Sequence, residues 1–123
     1  MINKLMSLTI FLGFLLACSN DLSAINPENL IQEDVSLPIN QTYTLYLSSG
    51  ISIEGGYSIN TQAKHFKTSE IVYDASNQKL QYIYTPTLNF SGNDSVLIKN
   101  CISAGGVGCN NTMYIKISFL VTN

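Results

Sequence analysis

From residue 40 onward, apolar residues recur at every second position, not at the three- and four-residue spacing of a helix. Tyr43, Leu45 and Leu47 alternate with Thr44 and Tyr46, Ile51 and Ile53 flank Ser52, and Tyr57 and Ile59 flank Ser58. Ile71 and Tyr73 alternate with Glu70 and Asp74, and Leu80, Tyr82 and Tyr84 share a face. Val96 and Ile98 share a face with Lys99 outward, and Ile115, Ile117, Phe119 and Val121 lie opposite Tyr114, Lys116 and Ser118. A period of two sends alternate side chains to opposite faces of a strand, so each segment has one apolar face to bury. The segments are separated by turn-forming clusters: Ser48-Ser49-Gly50, Glu54-Gly55-Gly56, Ala75-Ser76-Asn77-Gln78 and Ser91-Gly92-Asn93. About seven such strands predict an all-β, antiparallel sandwich of two sheets. No segment carries a long amphipathic helix, and Gln62 to Lys67 reads as a loop or irregular strand. A chain of 123 residues with 46% hydrophobic residues has length for one domain and too much apolar surface for disorder.

The N-terminus has a different pattern. Met1-Ile2-Asn3-Lys4 is short and basic, and Leu5 to Leu16 is a mostly apolar run. As a helix the run would be roughly 18 Å long, against a hydrocarbon core of ~30 Å. It therefore reads as a signal-peptide core rather than a membrane span. Leu15-Leu16-Ala17-Cys18 at its end resembles the bacterial lipobox. That resemblance implies a diacylglycerol thioether on Cys18, cleavage just before it, and further acylation, palmitate being the usual chain. Two or more acyl chains make a stable anchor where one is marginal. The expected organisation is a signal peptide over 1–17, a lipidated tether over 18–33 and a sandwich domain over 34–123. The tether would end in a short edge strand near Val35 to Leu37, with Pro38 suited to an edge. Ser19 lacks the inner-membrane retention of Asp at that place, which implies the outer membrane of a Gram-negative envelope.

Cysteine usage follows from this address. With Cys18 assigned to lipid, Cys101 and Cys109 remain as an even pair in an exported chain. A disulfide between them would close a short glycine-rich loop and add roughly 2–3 kcal/mol. Free thiols and a metal pair are the alternatives, and two sulfurs fall short of the four ligands zinc takes.

The run Tyr84-Thr85-Pro86-Thr87-Leu88-Asn89-Phe90-Ser91-Gly92-Asn93-Asp94-Ser95-Val96 resembles the signature of bacterial Ig-like, cadherin-like repeats, which are common in secreted adhesins and surface proteins. The resemblance covers residues 79 to 121 and implies an Ig-like sandwich. Each motif residue also has a physical role. Pro86 lacks a ladder donor and ends a strand. Phe90 plugs the core below the connecting loop. Gly92 permits a positive φ. Asp94 accepts main-chain N–H bonds and holds the turn into the next strand. These roles predict a fold and not a reaction. The chain departs from the repeats in being a single copy and in placing the Cys101–Cys109 loop where relatives carry an Asp-Gly turn.

Charge narrows the function classes. Six Lys, no Arg and a net charge of −2 exclude an electrostatic nucleic-acid binder. The eight acidic residues are scattered, without the clustered carboxylates that calcium requires. Gly105-Gly106-Val107-Gly108 lacks the Lys and Ser/Thr that follow a phosphate-loop glycine. No cofactor or metal is expected. His65, the single histidine, sits near Lys64 and Lys67 with no nucleophile elbow to serve it. Asp94-Ser95-Val96 also resembles the O-glycosylation tripeptide of Bacteroidetes exported proteins, where it overlaps the fold signature. Tyr46 and Tyr114 have outward parity and are the candidates for a contact surface. The expected function is a lipid-anchored, non-catalytic binding, adhesion or spacer module, with the membrane as one partner and an envelope protein or glycan as the other. The alternative is a periplasmic accessory factor or assembly subunit, or a small hydrolase using His65.

Overall fold

The computed structural model describes residues 25–49, 55–102, 108–109 and 111–123. The lipobox with Cys18, the Ile51–Ile53 segment and glycines 105 and 106 lie outside the described residues. Seven strands follow in order among the described residues: β1 (Leu30–Pro38), β2 (Tyr43–Ser49), β3 (Gly55–Thr61), β4 (Phe66–Asp74), β5 (Lys79–Pro86), β6 (Gly92–Ile102) and β7 (Asn111–Thr122). They make two sheets, β1-β7-β6-β3 and β2-β5-β4, packed face to face as an Ig-like sandwich.

The core is what the alternation predicts. Tyr82 and Tyr84 of β5, Val96 and Ile98 of β6, and Ile117, Phe119 and Val121 of β7 are fully buried in one cluster with Leu37. Tyr43, Leu45, Leu47, Tyr57, Ile59 and Ile71 pack around it. The Tyr84 and Phe119 rings stack at 4.0 Å, and Tyr43 meets Phe119 edge-on at 5.5 Å. Offset and edge contacts of this kind add to the burial energy of large rings.

The first strand differs from expectation in extent and direction. It begins at Leu30 and runs to Pro38, so the residues expected at the end of the tether are already in the sheet. Its register with β7 places Ile31, Glu33, Val35 and Leu37 on the inward face. Glu33 interrupts the apolar alternation, which hides the strand from a hydrophobicity pattern. Its carboxylate accepts the Tyr43 hydroxyl at 2.7 Å across the two sheets. β1 also pairs with β7 in parallel, a departure from the all-antiparallel expectation. The reason is connectivity: β1 and β7 are the first and last strands, so no hairpin turn forces them to run antiparallel. Ahead of β1, Pro27–Asn29 form a 3-10 turn capped by Asn26, whose Oδ1 accepts the Glu28 N–H at 3.2 Å.

A smaller difference concerns a turn. Gly55 and Gly56, expected in a turn, open β3, and Gly56 adopts φ +146° within the strand. β3 pairs with β6 over Leu97–Ile102, so the first part of β6, Gly92 to Val96, has β7 on one side and, among the described residues, no strand partner on the other. There the chain leaves one sheet for the other through residues 62–65, within the Gln62 to Lys67 segment expected as a loop or irregular strand, whose last two residues already open β4.

Candidate functional site

The crossover from β3 to β4 is held by one carboxylate. Asp94 faces inward from the start of β6 and is 8% exposed. Its Oδ1 accepts the main-chain N–H groups of Lys64 and Ser95, both at 2.9 Å. Its Oδ2 accepts the main-chain N–H of His65 at 2.8 Å and the hydroxyl of Tyr84 at 3.0 Å. The His65 carbonyl in turn accepts the Thr87 N–H at 3.0 Å. Beside this knot, Gln62 makes a second one: its Nε2 donates to the Ser69 carbonyl at 3.1 Å and its Oε1 accepts the Ala63 N–H at 2.9 Å. The Ser69 hydroxyl joins Gln62 to the buried Tyr82 hydroxyl at 2.7 Å. Buried polar groups are thus paired, as they must be in a low-dielectric core. Burial pushes Tyr82 up to about 12. Burial also raises Tyr84 strongly, with the Asp94 carboxylate beside it adding to the effect. Burial and then Glu33 raise Tyr43.

The motif residues come together at this end of the sandwich. Pro86 is the last residue of β5 and is fully buried. Phe90 packs on the core edge and stacks on the His65 ring at 4.4 Å and 10°. Gly92 has φ +132°, and a Cβ there would meet the Phe90 ring at 3.4 Å. Sequence reasoning missed the clamp that closes the loop. Asn40 and Asn89, both with φ 61°, bond to each other, the Asn89 N–H donating to Asn40 Oδ1 at 2.9 Å. Asn is among the few non-glycine residues that accept this backbone conformation.

Between this knot and the outer face of β6 and β7 lies a groove of about 380 Å³, lined by Lys64, His65, Asn93, Asp94, Ser95, Lys116, Ser118 and Phe119. Ser95 and Ser118 are directly paired across the two strands. Parity places them, with Asn93 and Lys116, on the outer face of the sheet. The alternation carries that signal for the four strand residues. Nothing local in the sequence marks Lys64, which the crossover delivers from about thirty positions away. The groove is thus lined by two lysines, a histidine, two serines and an asparagine, together with a carboxylate already engaged with four donors.

The remaining candidates lie elsewhere. Tyr46 is 56% exposed on the outer face of the β2-β5-β4 sheet, with the Lys79 ammonium 4.7 Å from its ring centroid. Tyr114 is half-buried on the outer face of the other sheet, so the two tyrosines do not form one contact surface. Cys101 and Cys109 form the expected disulfide, with Cα atoms 5.2 Å apart, at the opposite end from the groove. Among the described residues, no three His, Cys, Asp or Glu side chains come together as metal ligands.

No protein-family model matches this chain, and no curated protein matches it in sequence. Among solved structures, that of amebosin aligns with a TM-score of 0.50 at 11% identity, over 76% of this chain and 96% of that one. The cysteine protease inhibitor EhICP2 from Entamoeba histolytica aligns with a TM-score of 0.49 at 12% identity, over 76% and 94%. A sialyltransferase from Photobacterium damsela gives a TM-score of 0.38 at 7% identity, over 76% of this chain and 18% of that one. At these identities the likeness to amebosin is one of fold: the chain is an all-β sandwich of similar architecture.

Proposed function

We propose that the chain is a lipoprotein of the bacterial cell envelope, anchored through acyl groups on Cys18, and that its sandwich is a non-catalytic binding module. Support for the anchor lies in the residues Leu15-Leu16-Ala17-Cys18 behind an apolar run too short to span a bilayer. The observation that carries the binding reading is the use of Asp94. A hydrolase built on His65 needs a carboxylate on the imidazole to orient it. Asp94 instead takes the main-chain N–H of His65, and the imidazole lies flat on Phe90.

The chain from Cys18 enters the sandwich at Leu30, opposite Tyr114, at the end that carries the Cys101–Cys109 bridge. The Asp94 knot lies toward the other end of the same strands, opposite Phe119 and roughly 17 Å from the level of Leu30 at the rise of an extended strand. The groove would then point away from the lipid, toward partners in the envelope, and anchoring would raise their effective concentration.

Metabolic labelling with radioactive palmitate tests the anchor. The wild-type chain is expected to carry label and to fractionate with membranes; Cys18→Ser is expected to lose the label, and globomycin to leave an uncleaved precursor. Label that survives Cys18→Ser, or processing indifferent to globomycin, overturns the reading.

A further inference from the structure

We propose that the groove at the end remote from the anchor is a binding site for an acidic sugar residue, one anionic group on a ring bearing hydroxyls. The inference deepens the binding-module reading and is independent of the lipid. Three features lead to it. The first is charge: Lys64 and Lys116 bring two ammonium groups to one groove in a chain of net charge −2. The one carboxylate there, Asp94, is turned inward onto four donors, so an incoming anion meets the lysines rather than a free acid. The second is the neutral lining. Ser95, Ser118 and Asn93 each both donate and accept, as sugar hydroxyls do, whereas a bare carboxylate only accepts. The third is size. About 380 Å³ is at the small end of the range for ligand pockets, which suits one ring rather than a folded partner.

The main-chain position of the site adds a reason for its rigidity. β3 stops pairing with β6 at Leu97, so the edge beside Asn93 and Ser95 is left open, and the Asp94 knot holds Lys64 and His65 in the gap. A recognition site works best when its groups are fixed before the ligand arrives.

Amide chemical-shift titration of the ¹⁵N-labelled full chain in detergent micelles tests this, with glucuronate, glucose, inorganic phosphate and tetraglutamate as probes. Glucuronate at low salt is expected to shift the amides of Asn93, Ser95 and Ser118 saturably, with glucose at least about tenfold weaker, and added salt should weaken the binding. Lys64→Gln with Lys116→Gln is expected to weaken glucuronate about tenfold, while Lys79→Gln, outside the groove, leaves it unchanged. Lys64 is exposed, Lys116 is half-buried on the outer face of β7, and Asp94 bonds the main chain of residue 64 rather than its side chain; the double variant's own amide dispersion checks that the fold is kept. Equal binding of glucose and glucuronate, an unaffected double variant, or shifts confined to other faces overturn the site. Phosphate or tetraglutamate binding as tightly as glucuronate overturns the sugar assignment. Loss of palmitate labelling on its own touches the anchor and leaves this result standing.

Discussion

Asp94 shows how one side chain can serve three parts of a fold at once. Its two oxygens take donors from the β3–β4 crossover, from the end of β5 and from its own strand. Removing the carboxylate leaves three N–H groups without their acceptor and the buried Tyr84 hydroxyl with only the longer contact to the His65 carbonyl at 3.3 Å, and each lost bond costs about 1–3 kcal/mol when water cannot replace it. Asp94→Ala is therefore expected to destabilise the domain by about 3 kcal/mol or more. Asp94→Asn keeps one carbonyl oxygen as acceptor and should lose less. Urea unfolding of the two variants checks the order, and an alanine variant within about 0.5 kcal/mol of wild type contradicts the role. The motif marks Asp94 as a main-chain acceptor, but the recipients are Lys64 and His65, far off in sequence. That pairing is not legible in the chain because only the packed sandwich brings the crossover to β6.

At the scale of elements, the strands fall into two groups. β5, β6 and β7 were legible because each buries a full alternating face against the core, and hydrophobicity reports that directly. β1 was legible only at its end, since Glu33 occupies an inward position and is satisfied by Tyr43 from the other sheet. Edge strands with polar inward residues escape a period-two reading for this reason, and they also resist edge-to-edge association. The β6–β7 connection is the other point where elements depend on a local device. The Cys101–Cys109 bridge joins residues only eight apart, so it restricts the unfolded chain modestly. Cys101→Ser with Cys109→Ser is expected to lower stability by about 2–3 kcal/mol without altering the sheet. Thermal melting and far-ultraviolet dichroism of the double variant test both halves; a lost β signature would show that the bridge, rather than the core, specifies the hairpin.

For the molecule as a whole, the buried tyrosines tie stability to alkaline pH. Tyr82 is raised from 10 to about 12, and Tyr84 and Tyr43 are raised as well, chiefly by burial. A phenol whose proton is held more tightly in the folded state contributes stability that is complete below its unfolded value. That contribution is lost as pH climbs from about 10 through the folded value. The domain should accordingly weaken between about pH 10 and 12. Phenolate absorbance from these three residues should appear together with unfolding and not before it. Absorbance and dichroism followed in one alkaline titration decide the matter, and ionisation of all seven tyrosines ahead of unfolding goes against it.

By itself the sequence determined the two-faced strands, the paired cysteines and the loop motif around Pro86, Phe90 and Gly92. All of these rest on local periodicity or on the conformational limits of single residues. The tertiary structure decided which strands are neighbours, that the first runs parallel to the last, and that Lys64, Ser95, Ser118 and Lys116 share one groove. Those outcomes depend on contacts between distant segments, and such contacts exist only once the two sheets have closed over their core.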